Sequence, residues 1–378
     1  MKTPARLALR LANRPPQCAA NPSLLLTARH IFTTPATPAT VSPIHGTGPP
    51  PSAPQPAADS FDARVSRRRK QAELLSKAQE IRSSSKSTNP QKTPLSRRRF
   101  WKDVHVKEND GALEVHLDTR SLRRPDTKEV IRLPTSKPIL AAALALEWDL
   151  LVSIQQASKQ HLIPLTSLIC RALDIADDDA ARQSTVVPSE SLRTGMTRMM
   201  MRYLDTDSLL CWAPPPRYGQ DAPDTAGRNL RELQKEAAEE VVGYLTTRVW
   251  PGVELEPVLD SESIVPKRQK PETRQIIEGW ITGLDAFELA GLERAVLAGK
   301  GLLGAVRLLV EWSEGPAGVG KSDGHKTFGV EKAAKLASIE VDWQIGNWGE
   351  VEDTHDVQKE DLKRQLGSAV LLISGTGK

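Results

Sequence analysis

Between Leu117 and Pro138 the spacing of apolar residues changes period, and it does not change back. Leu113, Val115 and Leu117 alternate with Glu114 and His116, the two-residue repeat of a strand. Asn109, Asp110 and Gly111 just before them are hairpin-turn residues. The spacing therefore predicts a partner strand over 100–106, and a third short strand over 130–133 after a turn at Arg124, Pro125 and Asp126. From Pro138, which suits a first helical position, apolar residues fall three and four apart. Ile139, Ala143, Leu146, Leu150 and Ile154 share one helical face, and Leu165, Leu168, Ala172 and Ile175 form the stripe of a second helix opening at Pro164. Further helices are predicted over 189–204, 228–250, 273–284, 286–297, 302–312, 330–343 and 359–373. The fold class that follows is α+β: a small N-terminal antiparallel β domain over 99–137, then a larger all-α helical domain over 138–378.

Charge divides the chain differently. The formal net charge is +4, yet residues 64–99 hold twelve Lys and Arg against Glu73 and Glu80, while residues 100–378 hold 34 basic and 43 acidic residues, a balance of −9. An acidic body speaks against a general phosphate-backbone binder. Residues 64–99 carry no aromatic residue among their charges before the body begins, so a solvated linker is expected there, with a short helix possible near 64–82.

The first acidic residue is Asp59, and before it Lys2, Arg6, Arg10, Arg14 and Arg29 are spread among Leu, Ala, Ser and Thr. That is the composition of a mitochondrial transit peptide, placed at 1–45, with a disordered basic linker at 46–98. The expected compartment is the mitochondrial matrix. The three cysteines, Cys18, Cys170 and Cys211, show neither metal spacing nor a disulfide framework, which fits a reducing compartment. No run of about 18 apolar residues exists, so no stable membrane insertion is expected.

A known family is resembled by several stretches in order. They begin with Arg99-Phe100-Trp101-Lys102-Asp103-Val104, Leu117-Asp118-Thr119-Arg120 and Leu133-Pro134-Thr135. Next come Glu147-Trp148-Asp149, Pro164-Leu165-Thr166 and Ala172-Leu173-Asp174. Tyr203-Leu204-Asp205-Thr206-Asp207 runs into Leu210-Cys211-Trp212, and Leu284 to Leu289 agrees more weakly. The series closes with Glu340-Val341-Asp342-Trp343-Gln344, Trp348-Gly349 and His355-Asp356. Over about 97–374 the chain resembles the mitochondrial F1-ATPase assembly chaperones that bind the F1 α subunit. The resemblance implies a holdase that covers the surface the β subunit later takes; no cofactor and no catalytic residues are expected, and the protein is expected to be a monomer. It also implies a client-binding role for the acids Glu340 and Asp342. On a helix these two diverge by about 200°, so a shared site is not expected. The stretch 315–329 departs from the family by its length and glycine content.

Two rival readings come from the residues themselves. Residues 315–322, with Gly315, Gly320, Lys321 and Ser322, match the phosphate-loop pattern letter for letter. The preceding Leu302, Leu303, Val306, Leu309 and Val310 are spaced for a helix rather than a buried strand, so a surface loop is expected. The basic segment 64–99 is the alternative nucleic-acid contact. Asp205 and Asp207 near Asp174 allow a general acid/base pair, although capping and turn roles are commoner for Asp beside Thr206 and Ser208. His105, His116, His161 and His355 have no partner at metal-ligand spacing, so no metal site is expected. Trp148, Trp280 and Trp343 are expected in the core.

Overall fold

The computed structural model describes residues 68–70, 72–77, 99–184, 189–215, 227–260, 265–319, 327–351 and 354–375. The expected transit peptide at 1–45 lies outside them, as does most of the basic linker, of which residues 68–70 and 72–77 are helical and exposed.

Asp110 and Gly111, with φ of 48° and 73°, make a two-residue turn that joins β1 (Val104–Asn109) to β2 (Ala112–Leu117) in antiparallel register. Positive φ at both turn positions matches the right-handed twist of the flanking strands. The first strand thus lies a few residues further along than the 100–106 expected. Upstream of it, Trp101 is buried in edge contact with Phe100 and tilted against Trp148. On the other edge of β2, β3 (Arg120–Ser121) and β4 (Arg132–Pro134) pair end to end. Central position explains why Glu114 and His116 are buried as well as Val115 and Leu117. The cost of burying two polar groups is offset by mutual pairing: His116 Nε2 lies 3.2 Å from Glu114 Oε2, and Arg132 Nε donates to Oε1 at 3.2 Å.

The helices follow as α1 (Pro138–Leu150), a 3₁₀ turn (Ile154–Ser158), α2 (Pro164–Ser184) and α3 (Leu192–Leu204). Next come α4 (Leu230–Arg248), α5 (Pro271–Thr282), α6 (Ala286–Gly299) and α7 (Leu303–Trp312). The last are α8 (Val330–Ala337), α9 (Ile339–Trp348) and α10 (His355–Ile373). Two starts are legible as capping boxes, Asn229 with Glu232 and Asp285 with Glu288. A short parallel pair, β5 (Cys211–Trp212) with β6 (Leu259–Asp260), was not expected.

The hydrophobic centre is α6, which packs against α2, α7 and α10. Leu289, Leu292 and Val296 are fully buried there, with Leu372 and Ile373 from α10 beside them. The crossing is close because residue 291 is glycine: a β-carbon there would sit 2.6 Å from Ile373 Cγ2. The start of α1 and the end of α10 meet as well. Gly375 O accepts from the Ile139 N–H at 3.1 Å, and Lys137 Nζ donates to the Leu372 and Ile373 carbonyls at the end of α10. These contacts satisfy orphan backbone groups of two helix ends at once.

Three expectations are corrected. The face of α1 carrying Ile139, Leu146 and Leu150 points to solvent, with exposures of 47%, 58% and 57%, and Ile154 beyond it is 41% exposed. Leu140, Ala141, Leu144 and Glu147 point inward instead. Both faces of α1 are apolar, so period alone did not distinguish them. The helix expected over 330–343 is two helices that break at Ser338. Of the tryptophans, Trp148 and Trp280 pack against the core half-buried, whereas Trp343 lines an open groove.

Candidate functional site

The acids of the chain's motifs can be followed to their partners. Glu147 Oε1 accepts from the Leu165 N–H at 2.8 Å, and Oε2 accepts from the Thr166 N–H at 2.9 Å and its hydroxyl at 2.7 Å. It therefore caps α2 from α1. Burial pushes its carboxyl above the usual range, with the three hydrogen bonds pulling the other way. Trp148 Nε1 donates to Thr166 Oγ1 at 2.8 Å, and Arg99 donates to the Asp149 carbonyl at 2.8 Å. Asp174 and Asp177 both receive the buried Arg124, tying α2 to the sheet.

Asp205 and Asp207 do not form a catalytic pair. Asp205 ends α3 and pairs with Arg274 of α5. Asp207 is fully buried and accepts three N–H groups, from Leu209 at 3.0 Å, Leu302 at 2.6 Å and Leu303 at 2.8 Å. It pins the turn after α3 to the start of α7, where Gly301 leaves room for it. Burial raises its carboxyl above the ordinary value.

That pinned turn forms one wall of a cleft of about 500 Å³. Thr206, Ser208 and Leu209 line it together with Lys300 at the end of α6, Glu340 of α9 and Lys359 of α10. Lys300 adopts a left-handed conformation, φ 54°, as α6 stops. Glu340 is exposed and, among the described residues, forms no hydrogen bond or ion pair. Asp342 meets Lys359 of that cleft, Nζ to carboxylate at 3.1 Å, and lines a second groove of about 570 Å³ with Trp343 and with Leu233 and Ala237 of α4. Glu340 and Asp342 thus line different grooves, with Asp342 linked to the first through Lys359. No residue of α9 is buried, although it carries Ile339, Val341, Trp343, Ile345 and Trp348. Trp348 is 64% exposed, and Gly349, with φ of 91°, ends the helix beside it. Sequence reasoning gave the two acids and missed Trp348 as a surface residue; its signal was its place at a helix end before glycine.

The phosphate-loop pattern has no free cradle in its described part. It follows α7, a helix, and the Ala317 N–H is spent on buried Glu288 Oε1 at 3.0 Å. The Gly315 N–H goes to Ser313 Oγ, the Gly318 N–H to Gly315 O, and the Val319 N–H to Val310 O. A phosphate loop needs such amides unpaired and facing one point. Residues 320–326, with Lys321 and Ser322, lie outside the described residues. Among the described residues there is no group of three or more His, Cys, Asp and Glu placed to hold a metal ion. No described helix is long and apolar enough to cross a membrane. Cys170 and Cys211 are half-buried free thiols, and burial, then Asp174, pushes Cys170 up to about 11.

Comparison with known proteins covers this same body. Residues 98–246 match the family model described as ATP12 chaperone protein. The chain is 32% identical over 289 residues to the mitochondrial protein atp12 of Schizosaccharomyces pombe, covering 76% of this chain and 86% of that one. It is 28% identical over 286 residues to mitochondrial ATP12 of Saccharomyces cerevisiae, covering 72% and 82%. In structure it is similar to the crystal structure of Atp12 from Paracoccus denitrificans, with a TM-score of 0.51 and 22% identity, over 75% of this chain and 100% of that one.

Proposed function

The chain belongs to the ATP12 chaperone family, the F1-ATPase assembly chaperones, and from that premise we propose that it holds the unassembled F1 α subunit in the mitochondrial matrix until the β subunit replaces it. Its relatives are mitochondrial proteins. The observation that carries the reading is the match to the fission-yeast protein along most of both chains.

The physical task is a binding one. An orphan subunit exposes a large obligate interface that is apolar and prone to aggregate. A partner that binds it reversibly lowers the free exposed population by mass action. Release then requires only that the β subunit compete more strongly, so no ATP turnover and no cofactor enter. Glu340 and Asp342 are the client-facing acids in this proposal. Glu340 supports it by standing exposed without an internal partner among the described residues, on a helix that has no buried residue. The protein acts as a monomer and not as an enzyme.

The test is co-purification of the chain with newly made F1 α subunit, scored against β subunit, with and without ATP. Selective, ATP-independent capture of α is the expected result. Capture of neither, or only with ATP, overturns the reading and reopens nucleotide binding through Lys321.

A further inference from the structure

Trp348 at the end of α9, Val351 just after it and Val357 in the first turn of α10 are 64%, 56% and 58% exposed. Exposed large apolar groups this close in sequence, at the end of a helix with no buried residue, are costly to leave in water and mark contact surfaces. The same corner is acidic. Among the described residues of 339–364, Glu340, Asp342, Glu350, Asp356, Glu360 and Asp361 stand against Lys359, Lys363 and Arg364, a balance of −3. The three cations are already engaged within the corner, Lys359 with Asp342, Lys363 with Glu360 and Arg364 with Asp361. Glu340 is exposed near the other end of α9.

We propose that Trp348, Val351 and Val357, on this acidic corner, form a docking face for a cationic segment of the captured subunit that carries apolar side chains among its basic ones. The tryptophan supplies a wide rigid apolar contact, and the acids steer and register the basic groups around it. An anionic or purely apolar partner would bring like charges together or leave the acids desolvated without partners. The inference rests on the client-binding reading of α9 and adds what chemistry the client must present.

The test uses the full chain and a fluorescein-labelled 18-residue peptide of Lys and Leu at helical spacing, with a Glu/Leu peptide as control. Binding of the Lys/Leu peptide alone is expected, weakening as salt rises from about 0.05 M to about 0.3 M. A Trp348→Ser, Val351→Ser variant should lose at least about tenfold in affinity while keeping its circular dichroism. Equal binding of both peptides, or undiminished binding by the variant, overturns the proposal. Tighter peptide binding after removal of residues 64–98 overturns it in favour of the chain's own basic segment as occupant. A dimer that the variant abolishes overturns it in favour of a second copy. The α-subunit capture assay on the same proteins separates the two readings. Undiminished α capture by the variant sinks the docking face and spares the proposed function, whereas peptide binding without α capture does the reverse.

Discussion

Glu147 of α1 and Thr166 of α2 are joined twice, through the Thr166 N–H at 2.9 Å and its hydroxyl at 2.7 Å. The same carboxylate takes the Leu165 N–H, so one buried side chain closes the N-terminus of the next helix in place of a local cap. Glu147→Ala leaves two buried amides without acceptors and should cost about 2–3 kcal/mol by urea unfolding. In a double-mutant cycle with Thr166→Ala the losses should fall short of additive. Additive losses would show that the two residues act independently.

Burial holds the folded-state value of Glu147 above its ordinary 4.5, and that of Asp207 above its ordinary 3.8. A raised folded value means that the folded state binds the proton more tightly than the unfolded one. The stabilising contribution is then complete below the ordinary value and is lost as pH rises through the raised one. Glu147→Gln removes that titration, so its deficit relative to the parent should narrow between acid and neutral pH. Thermal unfolding at matched ionic strength across this range checks the sign, and a deficit that widens with pH contradicts it.

At Gly291 two opposing effects can be weighed. Alanine gains about 1 kcal/mol of helix propensity over glycine. Its β-carbon would lie 2.6 Å from Ile373 Cγ2, and the branched isoleucine is stiff at χ1. Overpacking of this kind costs about 1–3 kcal/mol, so Gly291→Ala should be destabilising on balance. Gly291→Ala combined with Ile373→Val, which keeps Cγ2, should not recover stability, while pairing with Ile373→Ala should relieve the clash itself. Chemical denaturation of the three variants checks the order.

Lys321→Ala should leave client capture unchanged, and isothermal titration should show no saturable ATP binding by either protein. The amides of Gly315, Ala317, Gly318 and Val319 are already spent inside the protein. ATP binding by the parent that vanishes in the variant would contradict this.

Glu340→Lys should preserve stability to within about 0.5 kcal/mol, because the side chain is exposed and, among the described residues, without an internal partner. Its α-subunit capture should fall by about tenfold or more, the cost of a like-charge contact at an interface. Asp342→Lys should cost more stability, since it also sets two cations face to face at Lys359.

Local chemistry in the sequence determined much of this protein. The two-residue repeat at Leu113 to Leu117, the Asp110-Gly111 turn and the proline starts at Pro138 and Pro164 each specify their element, because dihedral preference and side-chain period act within a few residues. Tertiary structure decided the rest. It chose the Leu140 and Leu144 face of α1 over the Ile139 and Leu146 face, since both are apolar and only the neighbouring elements distinguish them. It broke the helix at Ser338 and left Trp343 and Trp348 on grooves and corners rather than in the core. It also settled what Glu147, Asp174 and Asp207 do, because their partners lie 19, 50 and 95 residues away in the chain. A carboxylate's type and spacing show that it needs a partner; only the packed fold brings that partner within hydrogen-bond reach.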